Sequence, residues 1–152
     1  MNPPHSFSLA FASFFLAFTS YAGTPTSLNL KTSEEIVDRA MACGVAHHWN
    51  LSIAVVNSEG NLISFRRSDG AYLGSVDAAM GKAQSANAFE RPTRVFAEGV
   101  RNGNLGLLSV KGVVANEGGE PIRISGKHVG AIGISGALAT EDDICALAAI
   151  QD

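Results

Sequence analysis

The residues of this chain that could do chemistry are four histidines, a few scattered cations and one glycine pair. His5 stands near the start, His47 and His48 adjoin the only tryptophan, Trp49, and His128 comes much later. Imidazole is a common metal ligand, and nearby cations suit carboxylate recognition. On a helix, Ile36, Ala40, Cys43 and His47 step by four, three and four and share one stripe, whereas His48 points about a hundred degrees away. The plainer reading is two helix-end histidines set against the C-terminal dipole. His128 follows a turn, where facing solvent suits it as well as ligation. Arg67 and Lys82 suit carboxylate recognition, as do Arg91 and Arg94 around the end of the second helix. Lys82 or Asp69 could act as acid or base if a cleft perturbed it. Gly118-Gly119 permits positive φ and amides turned toward an anion, or simply a turn. The chain has no dinucleotide or Walker fingerprint, serine elbow, HExxH or CxxC, so nucleotide binding through such loops has no support.

These groups must be positioned by an alternation of helices and hairpins. Thr32-x-x-Glu35 predicts a capping box opening a helix to about His48. Leu51 to Asn57 reads as a strand, Ser58-Glu59-Gly60 as a turn, and Asn61 to Arg67 as the returning strand. An Ala-rich helix covers about Ser75 to Glu90, Pro92 stops it, and a short helix runs from there to about Gly99. Arg101 to Gly106 is a Gly/Asn loop, and Leu107 to Ala115 reads as weak extended segments. Pro121 to Ile124, a turn at Ser125-Gly126-Lys127, and His128 to Ser135 form a second hairpin, and Glu141 to Ile150 a last helix. Glycines at 130, 133 and 136 recur through the final strand, which marks either the wall of a site or a strand crowded under a helix. The order predicts an α+β domain with a mostly antiparallel sheet.

Composition bounds the rest. The chain has 152 residues, 16% of them charged, and a formal net charge of -3, which suits one domain and argues against nucleic acid or an anionic membrane as partner. No charged side chain other than His5 precedes Lys31, and Phe7, Phe11, Phe14, Phe15 and Phe18 fill an apolar run. That run is too short to span a membrane and right for a signal segment, with Ser20 and Ala22 as the small residues before cleavage. The n-region lacks Lys and Arg. The expected layout is a signal peptide over 1–22, a linker over 23–30 and a domain over 31–152, with a periplasmic or secreted location and no membrane span in the mature form. About 130 residues remain, enough to bury a core without help from a metal or a disulfide.

Glu117-Gly-Gly-Glu-Pro-Ile, a short turn and Val129-Gly-Ala-Ile-Gly-Ile-Ser-Gly136 resemble the haem-degrading or GlcG-like family. Further matching pieces are Ser52 to Val56 with its turn at Glu59-Gly60, Phe65-x-Arg67-x-Asp69-Gly70-Ala71, Gly81-Lys82-Ala83, Phe89-x-Arg91-Pro92-Thr93 and Asp142-x-x-Cys145-Ala146. They run in family order from about Leu28 onward. The family includes secreted haem-binding proteins and the C-terminal domain of one type of corrinoid adenosyltransferase. The resemblance implies a profilin-like fold with the first and last helices side by side on one face, a homo-oligomer, and haem as cofactor, with His47, His48 or His128 as candidate ligands. If those helices are neighbours, Cys43 and Cys145 could form a disulfide in an oxidising compartment, closing a loop worth roughly 4 to 5 kcal/mol in the chain-entropy model. Two small buried hydrophobes are the alternative.

Three functions fit this reading. The first is an exported haem (tetrapyrrole) binding protein, haem-degrading or haem-sensing. The second is an enzyme or scavenger for a small carboxylated metabolite, its pocket lined by Arg67, Asp69, Lys82, Gly118 and Gly119. The third is a periplasmic accessory subunit that works through its oligomer surface or a sensor partner.

Overall fold

A computed structural model describes residues 27–151; the signal segment and residues 23–26 of the expected linker lie outside the described residues. Helix α1 (Leu30–His47) begins earlier than the capping-box pattern suggests. Asn29, not Thr32, is the cap, and its side-chain oxygen accepts from the Thr32 amide at 2.9 Å. The first hairpin follows as β1 (Ser52–Asn57) and β2 (Leu62–Arg67), then α2 (Gly74–Phe89) and α3 (Thr93–Arg101). The second hairpin is β3 (Gly119–Ile124) and β4 (Lys127–Ser135), and α4 (Ala139–Ile150) closes the domain.

The expected extended segments over 107–115 are replaced by a 3₁₀ turn at Leu105–Ser109 and irregular chain. This stretch lies over α2, its Val114 amide donating to Ser85 Oγ at 2.9 Å, so its backbone is satisfied without a strand partner.

The strands form one antiparallel sheet in the order β2-β1-β4-β3. Both central strands are buried on both faces. Ile53, Val55, Ile132 and Ile134 face α1 and α4 with Ile36, Val37, Ala40 and Ala146. Ala54, Val56 and Ala131 face α2 with Ala79, Ala83 and Ala86. The result is the α+β, profilin-like arrangement, with N- and C-terminal helices together on one face and α2 on the other. Arg39 Nε donates to the Ala149 carbonyl at 2.7 Å, and Cys43 is joined to Cys145 by a disulfide with Cα atoms 5.6 Å apart.

The small residues on the α2 face explain the glycine rhythm of β4. A Cβ added to Gly133 would stand 2.1 Å from the Ala79 carbonyl oxygen and 2.4 Å from the Ala83 nitrogen. The strand is therefore crowded under a helix rather than the wall of a cleft.

Because those neighbours are backbone atoms that cannot swing aside, Gly133→Ala should destabilise the domain by about 3 kcal/mol. A urea midpoint shifted by less than the error of the wild type would contradict so close a contact.

Candidate functional site

A cleft of about 650 Å³ lies where the C-terminal end of α1 meets the end of β2. This volume lies within the usual range for small-molecule sites. The elements build it simply. α1 stops because His48 adopts left-handed backbone, φ 60°, with its amide on the Gly44 and Val45 carbonyls. The chain then doubles back, the Trp49 amide donates to Gly44 at 2.8 Å, and the Trp49 ring stacks on His47 with centroids 4.4 Å apart. His48, Trp49, Met41 and Val45 line one side. Arg66, Arg67, Ser68 and Asp69 line the other.

The two arginines are held differently. Arg66 pairs with Asp38 on α1, whereas Arg67 donates to the Ala71 carbonyl. Asp69 is exposed on the rim and makes no ion pair among the described residues. His48 is exposed and makes no side-chain hydrogen bond among them, so both ring nitrogens are free for a ligand. His47 does not continue the buried stripe; it is exposed and serves as the stacking partner of Trp49. The left-handed turn brings His48 and Trp49 to the cleft, which helical angles alone do not foresee.

His128 is elsewhere, on a pocket of about 210 Å³ with Lys127, Glu59 and Ser58 among its lining. That is small for a macrocycle, and no Phe, Tyr or Trp lines it. Asn87 Nδ2 donates to the Ser58 carbonyl at 3.1 Å, so its Oδ1 accepts from His128 Nε2 at 2.8 Å. His128 Nδ1 is buried without a partner, and desolvation lowers the imidazole pKa, opposed by Glu90 and reinforced by Arg123. The ring thus serves as a brace between α2 and the two hairpins, with its charged form disfavoured by burial.

Lys82, Gly118 and Gly119 do not join Arg67 in a pocket. Lys82 is 1% exposed, and its Nζ donates to Asp142 Oδ2 and the Ile134 carbonyl, each at 2.8 Å. The turn amides do face anionic and polar oxygen, but the oxygen is the protein's own. Gly118, at φ 106°, donates to Asp143 Oδ1 at 3.1 Å, and Gly119 donates to Thr93 Oγ1 at 2.9 Å. Arg94 completes this interior network by pairing with Glu120 and, at 3.3 Å, with Asp143.

Burial pushes the Asp142 carboxyl up, while Lys82 and the Ala137 amide oppose it. Glu120 is raised to about 7, chiefly by burial, with Arg94 lowering it and Asp143 raising it. No sequence pattern announces these pairs, because Lys82, Glu120 and Asp142 come from distant elements.

Two outcomes test the network. Lys82→Met strands a buried carboxylate and should cost about 3–5 kcal/mol, most of it regained in Lys82→Met/Asp142→Leu, measured by urea unfolding. Glu120 holds a proton in the folded state that the unfolded chain releases, so its contribution is full below its ordinary 4.5 and falls as pH rises to about 7. Glu120→Gln should abolish that decline, gaining about 2 kcal/mol on wild type between pH 5 and pH 8. Parallel stability curves for the two proteins would refute it.

Comparison with known proteins agrees with this architecture. The family described as haem degrading protein HbpS-like matches residues 28–151. Protein GlcG of Escherichia coli K12 is 28% identical over 112 residues, covering 74% of this chain and 84% of GlcG. An uncharacterized 15.0 kDa protein from the dhaT-dhaS intergenic region of Citrobacter freundii is 31% identical over 129 residues, covering 82% of this chain and 91% of its own. Among solved structures, a PduOC:haem complex superposes with a TM-score of 0.76 at 26% identity, over 82% of this chain and 94% of that one. A double mutant of Streptomyces reticuli HbpS gives 0.75 at 27%, over 93% and 97%. With its sheet order, paired terminal helices and near-complete match, the chain belongs to the HbpS-like family of haem-degrading proteins.

Proposed function

We propose that this protein binds haem in the cleft at the end of α1. The observation that carries the reading is the lining itself, an unengaged imidazole beside a stacked tryptophan with two guanidiniums opposite. These residues fit the group. His48 would offer a ring nitrogen to the iron, Trp49, Met41 and Val45 an apolar wall, and Arg67 with Arg66 charge for the propionates. When bound, haem supplies a redox-active iron that the protein itself lacks. The chain's own part is to hold the ring edge, shield one face from water and neutralise the carboxylate arms. Asp69 on the rim would keep the propionates toward the arginines by repulsion.

The relatives support the reading, since the family is described as haem-degrading and one superposable structure is a haem complex. Export to the periplasm or outside the cell, through a signal peptide over 1–22, belongs to the same proposal. So does assembly into a homo-oligomer, with haem sensing through a partner as its regulatory form. No helix among the described residues is long and apolar enough to cross a membrane. A small carboxylate remains a second reading only at Arg67, because Lys82 and the Gly118-Gly119 turn are engaged inside the protein.

Titration with hemin tests this. Wild type should give a saturable Soret shift, and His48→Ala should weaken binding at least about tenfold, or about 1.4 kcal/mol. His128→Ala should bind as wild type. Unchanged binding in His48→Ala would move the axial ligand elsewhere, and no Soret shift in wild type would end the proposal.

A further inference from the structure

The disulfide and the cleft share a short stretch of chain. Cys43 lies just before the last turn of α1, and the next residue, Gly44, lines the cleft. The Gly44 carbonyl receives the amides of both His48 and Trp49. The turn that carries the imidazole and the indole therefore hangs from the residue adjoining the bridge. At the other end, Cys145 is fully buried in α4, one turn after Asp142, which the Lys82 ion pair fixes. The turn has noncovalent anchors as well: Trp49 packs against the core, and the Leu51 backbone pairs with Ser68 in both directions. Leu51 packs against Gly44, and Ser68 Oγ reaches Met41 Sδ at 4.0 Å.

We infer that the Cys43–Cys145 disulfide is a positioning element of the cleft, so that its redox state sets how firmly the His48-Trp49 turn is held and how tightly the site binds. The inference rests on the reading of the cleft as a ligand site. Opening requires an external dithiol. Its thiolate attacks the sulfur of Cys43, the less buried partner, the S–S bond breaks, and Cys145 leaves as a thiolate and takes up a proton. The second thiol then closes the reagent's own disulfide and releases Cys43, two electrons having passed to the protein.

The test compares oxidised protein, dithiol-reduced protein with two thiols counted, and Cys43→Ser/Cys145→Ser, with Cys43→Ala/Cys145→Val as a second bridge-free form. Amide hydrogen exchange by NMR is read at His48 and Trp49 against Ile53 to Val56 in β1. Without the bridge, exchange at His48 and Trp49 should quicken about tenfold more than in β1, and hemin affinity should fall about tenfold. Equal loss of protection in both places means the bridge only stabilises the whole domain, and overturns the inference. So does unaltered hemin affinity in protein whose turn has loosened. If oxidised protein takes no hemin, the haem reading fails by itself, and the exchange ratio at His48 and Trp49 still decides whether the bridge holds the turn.

Discussion

The arrangement rests on how closely α2 lies on β4. With no side chain at Gly133 and only methyl groups at Ala79 and Ala83, the helix backbone comes down almost onto the strand. Dispersion contacts at that distance are dense, and the pairing leaves no gap for water. The approach also sets the reach of Lys82, the neighbour of Ala83. From the α2 layer its ammonium extends to the Ile134 carbonyl of the sheet and to Asp142 in the opposite layer. One side chain thus ties three layers together, and Gly118 packs against its end.

Charge in this protein is consequently divided between two places with different physics. Inside, Lys82, Arg94, Glu120, Asp142 and Asp143 satisfy one another and the backbone of the turn before β3, where an unpaired charge would be costly. Outside, Arg66, Arg67 and Asp69 line the cleft beside water, where Arg66 holds only an exposed pairing with Asp38 and Asp69 has no ion pair among the described residues. Residues fully committed to structure and residues open to a partner look alike by type. Only burial and partners tell them apart.

That distinction also marks what can be read from the chain. Helix and strand identities followed from the β-branched run at 52–56, the alanines of α2 and Pro92, because local pattern and burial agree there. The side-by-side terminal helices came from family resemblance, since periodicity carries no information on which helices meet. Arg67, Asp69 and His48 do line one cleft, but Lys82, Gly118 and Gly119 read as site residues while serving the interior. Met41, Asn50 and Arg66 line the cleft with nothing in the sequence to signal it. The left-handed residue at 48 is the missing step, because a single dihedral reversal at a non-glycine residue redirects everything after it.

The sheet order has a consequence at its far edge. β3 is paired on one side only, with β4, and Pro121 sits within it. Proline has no amide hydrogen to offer, so this edge cannot present the unbroken row of donors that another strand needs for docking. Continuation of the sheet through β3 into a second molecule is thereby discouraged. At this edge, contacts with other copies are left to side-chain surfaces.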